Sequence, residues 1–152
     1  MYVALKNPAE ARAALGRHLT KHPDDAYARL ELGKALGDAG DADASLVELQ
    51  RAIRLDPDLD EAHRLAGLAL GRKGEEAEGF YHLALASRLR GELEQSLSQF
   101  QRTEKLLKPG SAREDEVRLA IEELQPLVRE REREREQRRR GGRRGVGFYP
   151  PR

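Results

Sequence analysis

Residues 26–59, AYARLELGKALGDAGDADASLVELQRAIRLDPDL, hold two runs with apolar residues at helical spacing and a short glycine-bearing turn between them. Ala26, Leu30, Leu32, Gly33 and Leu36 supply the apolar and small positions of the first run, and Leu46, Leu49, Ala52 and Ile53 those of the second. Asp24 and Asp25 are placed to cap the first helix, and Gly40 suits a left-handed helix end. Asp41 starts the second helix and Pro57 closes it, because the residue before a proline is pushed out of the α region. The stretch therefore predicts two amphipathic helices folded back on each other.

Its spacing recurs along the chain. Gly33 and Gly67, Gly40 and Gly74, Pro23 and Pro57, and Leu15 and Leu49 are each 34 residues apart. Coincident offsets from several residue types are the mark of stacked helix pairs. Packing supplies the reason for the pattern. A side chain larger than glycine at Gly33 would overpack a helix crossing by about 1 to 3 kcal/mol, and burying Leu49 is worth about 1.5 to 3 kcal/mol.

The period, the small residues and the closing proline resemble the tetratricopeptide repeat family. The matching positions in this unit are Leu32, Gly33, Leu36, Gly40, Ser45, Leu49, Ala52 and Pro57, while Arg29 stands where the family carries a large aromatic residue. The resemblance implies an all-α, tetratricopeptide-like α-solenoid of about seven antiparallel helices acting as a scaffold for protein–protein interaction.

Outward from this unit the register changes on both sides. Asn7, Pro8 and Glu10 form a helix-start signal ahead of Ala11, Leu15 and Leu19, and these fall on second-helix positions, with Tyr2 on a first-helix tyrosine position. Residues 1–24 thus read as a half repeat, as if the chain began inside a unit. Beyond Gly74 the phase slips: taking Gly91 as the turn glycine puts Phe80 on the aromatic position, Leu83 and Ala84 on the leucine and small pair, and Ser96 and Phe100 on packing positions. The helix from Glu75 to Arg90 then serves as second helix of one pair and first helix of the next. Repeats are expected over 25–110. Ser111 and Glu114 read as a capping box for a covering helix over 111–128 with Val117, Ala120, Ile121, Leu124 and Val128 inward, which Pro126 is expected to kink or end. Residues 129–152 read as a frayed Arg/Glu-rich extension followed, after Arg140, by a disordered basic tail.

Charge is divided along the chain. Residues 129–152 hold ten arginines against four glutamates, a net of +6, and the remainder 18 basic against 23 acidic residues, a net of −5, giving the total of +1. Arg138, Arg139, Arg140, Arg143 and Arg144 are the candidate anion-binding residues, for phosphate of nucleic acid or anionic lipid. The lack of aromatic residues among these arginines before Phe148 and Tyr149 weighs against nucleic acid.

In the tetratricopeptide family the first helices line a concave surface. Side chains there that packing does not need are the candidate partner contacts: Tyr27, Glu31, Lys34, Arg64, Arg72, Tyr81, His82 and Arg88. The family's carboxylate clamp of lysines and asparagines is not expected, since Asn7 is the only asparagine. The expected partner is a protein or peptide, and residues 8–19 are a candidate surface for homo-oligomer formation.

Nothing points to catalysis or to a cofactor. HExxH, GxSxG, Walker and dinucleotide fingerprints are missing, and His18, His22, His63 and His82 lack ligand spacing to carboxylates. Glu75, Glu76 and Glu78 read as the solvated first turn of a helix. The run from Phe80 to Phe100 with the arginine-rich end also resembles the repeat-bearing C-terminal portions of bacterial cell-envelope zinc peptidases. That resemblance implies a non-catalytic, partner-binding segment and a periplasmic setting. Without a cysteine, a signal-peptide pattern or an 18-residue apolar run, the cytoplasm is the default expectation and no membrane span is expected.

Overall fold

A computed structural model describes residues 8–143, with side chains described to Arg140. Seven helices follow one another: α1 (Pro8–Lys21), α2 (Ala26–Asp38), α3 (Ala42–Leu55), α4 (Asp60–Arg72), α5 (Glu76–Leu89), α6 (Leu93–Leu106) and α7 (Glu114–Arg143). No strand occurs among the described residues. Each helix packs on the next, and α2 also touches α4, which is the stacking pattern of an α-solenoid.

The helix ends follow the local chemistry. Asp25 accepts from the Ala28 amide at 2.9 Å and Asp41 from the Ala44 amide at 3.0 Å, each satisfying one orphan donor of its helix. Three turns close identically: the amides of Asp41, Glu75 and Glu92 bond to the carbonyls of Leu36, Leu70 and Ser87, with Gly40, Gly74 and Gly91 at φ of 87°, 81° and 73°. Only glycine takes that conformation freely. The spacing of the three glycines, 34 residues and then 17, is the half-period slip that makes α5 the second helix of one pair and the first of the next.

The same slip is written in the crossings, which pair residues twelve apart. Ser45 Oγ donates to the Gly33 carbonyl at 2.6 Å, and Ser96 Oγ to the Ala84 carbonyl at 2.9 Å. At the α4–α5 crossing the corresponding residues are Gly67 and Gly79, and the two backbones meet directly: a Cβ on Gly67 would lie 2.8 Å from the Gly79 carbonyl oxygen. Two apolar clusters result. Leu30, Leu46, Leu49, Ala52, Leu59, Ala62, Ala66, Ala69 and Leu70 form the first. Tyr81, Ala84, Phe100, Val117, Ala120, Ile121 and Leu124 form the second, at the end where α7 covers the stack.

Some expectations are corrected. Pro126 does not end the covering helix, which continues to Arg143. It sits on the solvent side, so the carbonyl it frees stays hydrated, while Val117, Leu124 and Val128 are buried on either side of it. Helix α7 also begins at Glu114 instead of Ser111: the Val117 amide bonds to the Arg113 carbonyl, while the Glu114 carboxylate takes the Gly110 amide at 2.8 Å. The Arg/Glu run is helical and exposed, and it is tied to the body through Arg131 on the Gly91 carbonyl at 3.1 Å and Arg135 on Glu94 at 3.0 Å. Residues 141–143 extend this helix and do not begin a separate tail. Asn7, Tyr2 and residues 144–152 lie outside the described residues.

Candidate functional site

The position of Arg29 and its repeat equivalent shows how polar side chains brace the stack. Arg29 Nε and Nη2 donate to the Pro23 carbonyl at 2.9 and 2.6 Å, and Nη1 to Glu48 at 2.8 Å. One period later His63 Nε2 meets the Pro57 carbonyl at 3.1 Å, the same residue-to-proline separation of six. A cation or an imidazole thus occupies this position and bonds the carbonyl of the closing proline.

His63 also faces His82 across the α4–α5 crossing, Nδ1 to Nδ1 at 3.0 Å, and both rings are buried. Because Pro57 offers only an acceptor, neutral His63 carries its proton on Nε2, so its Nδ1 accepts and His82 Nδ1–H donates. Burial, reinforced by the facing His63 and by Arg113, lowers His82 to about 4. Burial lowers His63 as well, partly opposed by the Pro57 bond and by Asp58 and Asp60.

The other face of α5 meets α7. Arg113 Nε donates to Glu78 at 2.7 Å, Arg88 bonds Glu123 at 2.8 Å, and the Tyr81 hydroxyl donates to Glu116. Arg113 lies over the Tyr81 ring, 3.9 Å from its centroid, and the ring packs edge-on against Phe100. Burial and then the Glu116 carboxylate push the Tyr81 hydroxyl above its ordinary range. Tyr81, at 5% exposure, and His82, at 9%, are therefore inside the stack and not on a groove surface. Arg88 is exposed but engaged by Glu123.

The remaining candidates lie on α2 and α4, and of these the structure brings Lys34 and Arg72 together. Tyr27 is 61% exposed, and Glu31 and Lys34 follow it on the same face at helical spacing. Lys34, Leu68 and Arg72 line a depression of about 60 Å³ with Gly37, Asp38 and Leu65. Lys34 and Leu68 are one period apart, so the depression lies between equivalent positions of neighbouring first helices. Arg64 is held by Glu61 through two bonds of 2.7 and 2.6 Å, and the first of these interactions keeps the Glu61 carboxyl below its ordinary range. Leu68, 40% exposed, belongs to this face and was not among the sequence candidates. Its signal was available, as it is the repeat equivalent of Lys34.

The arginines of the extension stand apart from this face. Arg138, Arg139 and Arg140 are exposed near the end of α7, with Arg140 on Glu136 at 2.7 Å. Arg143 is the last described residue, its side chain is not described, and Arg144 lies outside. Among the described residues no three histidine, cysteine or acidic side chains are grouped to hold a metal ion. His18 instead bonds Asp25 at 2.8 Å and stacks near His22. No described helix is long and apolar enough to cross a membrane.

No family model matches the chain, and no curated protein matches it. Among solved structures, a crystal structure of MamA is similar at 20% identity and a TM-score of 0.48, covering 89% of this chain and 99% of that one. A MamA RS-1 ArsTM double mutant is similar at 17% identity and a TM-score of 0.44, covering 82% and 86%. A second crystal structure of MamA gives 20% identity and a TM-score of 0.43, covering 91% and 87%.

Proposed function

We propose that the chain is a non-catalytic interaction scaffold that holds a protein or peptide segment on the face shared by α2 and α4. The carrying observation is Tyr27, a large side chain left 61% exposed at the start of α2, on the helix whose exposed Lys34 shares a depression with Arg72 of α4. Packing does not use these three side chains, and none of them forms a side-chain hydrogen bond or ion pair among the described residues. Exposed aromatic and arginine side chains are the residue types that dominate binding energy at interfaces. With Leu68 beside Lys34 and Arg72 in that depression, the face matches a segment that offers an apolar side chain flanked by carboxylates. The polar groups between α5 and the start of α7, Glu78, Tyr81, Arg113 and Glu116, are consumed in holding α7, which supports reading them as structural.

The test is site-specific photo-crosslinking from position 27, followed by affinity measurement with the captured segment. Tyr27→Ala and Arg72→Glu should each weaken that affinity by at least about tenfold at unchanged helicity by circular dichroism. Undiminished affinity in both variants would remove this face from the account.

A further inference from the structure

The two ends of the described stack present faces that its middle keeps covered. Ala11, Leu15 and His18 of α1 stand one period before Ser45, Leu49 and Ala52 of α3. In α3 these three are buried; in α1 Ala11 and Leu15 are half-buried and His18 is exposed, with α2 the only described helix packed on α1. At the other end, the pairs Glu78–Arg113, Tyr81–Glu116 and Arg88–Glu123 set α7 against α5 at a constant offset of 35 residues. That offset places Leu119 on the position of Ala84, and Glu122 on that of Ser87. Ala84 and Ser87 are 0% exposed, whereas Leu119 is 56% exposed and Glu122 also faces solvent. Helix α1 therefore carries an open second-helix face, and α7 an open first-helix face.

The two faces also complement each other in charge. Beside Leu15, helix α1 offers the small residues Ala11 and Ala14. Helix α7 offers the exposed leucines Leu119 and Leu127. Arg12, Arg17 and Lys21 against Glu10 give α1 a net charge of +2; on α7, with Glu116 and Glu123 taken up by α5, Glu114, Asp115 and Glu122 against Arg118 leave residues 114–127 a net of −2.

We propose that a second copy of this chain docks its α1 on the outer face of α7, continuing the stack head to tail. The contact joins two different surfaces, so each added copy presents a fresh α7 face and association is open-ended unless a ring closes. It uses neither Tyr27 nor the α2–α4 face, and the two readings stand or fall separately.

Light scattering on the full chain, across a concentration series at low and high salt, reads the association directly. The mean mass should rise past the dimer with concentration and fall with added salt, as expected for a contact between oppositely charged faces. Leu119→Arg and Ala11→Arg should each weaken self-association by at least about tenfold, with circular dichroism reporting retained helicity and Leu127→Arg serving as a second α7 variant. An equimolar mixture of Leu119→Arg and Ala11→Arg should give a one-to-one pair that grows no further, since one intact face remains on each. A Tyr27→Ala chain should associate as the wild type does. A wild-type chain that stays monomeric, α7 variants that associate normally, or a mixture that stays monomeric would overturn the proposal.

Discussion

Replacing Gly67 with alanine is expected to destabilise the fold by about 2 kcal/mol, while the same change one turn away at Gly71 stabilises it by about 0.5 to 1 kcal/mol. The two glycines lie in one helix and differ only in what faces them. A Cβ on Gly67 would sit 2.8 Å from the Gly79 carbonyl oxygen and 2.8 Å from Leu83 Cγ, and a backbone carbonyl in a helix has no room to give. At Gly71 there is nothing within 4 Å, so alanine brings only its better helix propensity. Urea unfolding of the two variants beside the wild type measures both effects. Opposite behaviour at the two sites would locate the close approach of α4 and α5 at this crossing; a tolerated alanine at Gly67 would mean that the helices stand further apart.

The second large effect is a loss of stability in mild acid that belongs to the histidine pair. The unfolded chain takes up a proton on each histidine as the pH falls through about 6.5, whereas folded His82 resists until about 4. Between those values the unfolded state binds more protons, so stability falls as the pH falls. The contribution of His82 is complete above pH 6.5 and is lost by about pH 4, a total of roughly 3 kcal/mol. His63 adds in the same direction because burial lowers it too. Asp25 and Glu61, both below their ordinary range, act only at the acidic end of this span or beyond it. Unfolding free energies between pH 5 and 7 should therefore slope for the wild type and slope less steeply for His82→Leu, which starts from lower stability because His63 Nδ1 loses its donor. A wild-type stability that is constant across this interval would contradict the neutral, proton-sharing pair.

Much of the architecture was legible because repetition is a one-dimensional signal. Gly33, Gly40 and Pro57 announce a unit by their 34-residue echoes, and Gly91 announces the slip by breaking the echo at 17. The polar pairings were not legible, since charges have no period of their own. Arg29 reads as a missing aromatic residue until Glu48 and the Pro23 carbonyl are seen around it. Tyr81 and His82 read as groove residues because they occupy first-helix positions. The shared role of α5 undoes that reading: a helix that belongs to two pairs is covered on both sides, by α4 through His82 and by α7 through Tyr81. Tyr27, Lys34 and Arg72 escape this because α2 and α4 keep one face free. Pro126 misleads for a different reason, as the stripe from Val117 to Val128 holds a helix through a proline whose own side faces water.

The account turns on α5 being shared, and its most direct test is proximity. The chain has no cysteine, so paired substitutions report without background. Arg88→Cys with Glu123→Cys tests the observed contact between α5 and α7, and Arg64→Cys with Ser98→Cys tests the contact between α4 and α6 that an unbroken 34-residue register would create. With a short bifunctional thiol reagent, the account predicts efficient intramolecular crosslinking of the first pair and little of the second. Crosslinking of the second pair without the first would show an unslipped array and contradict it.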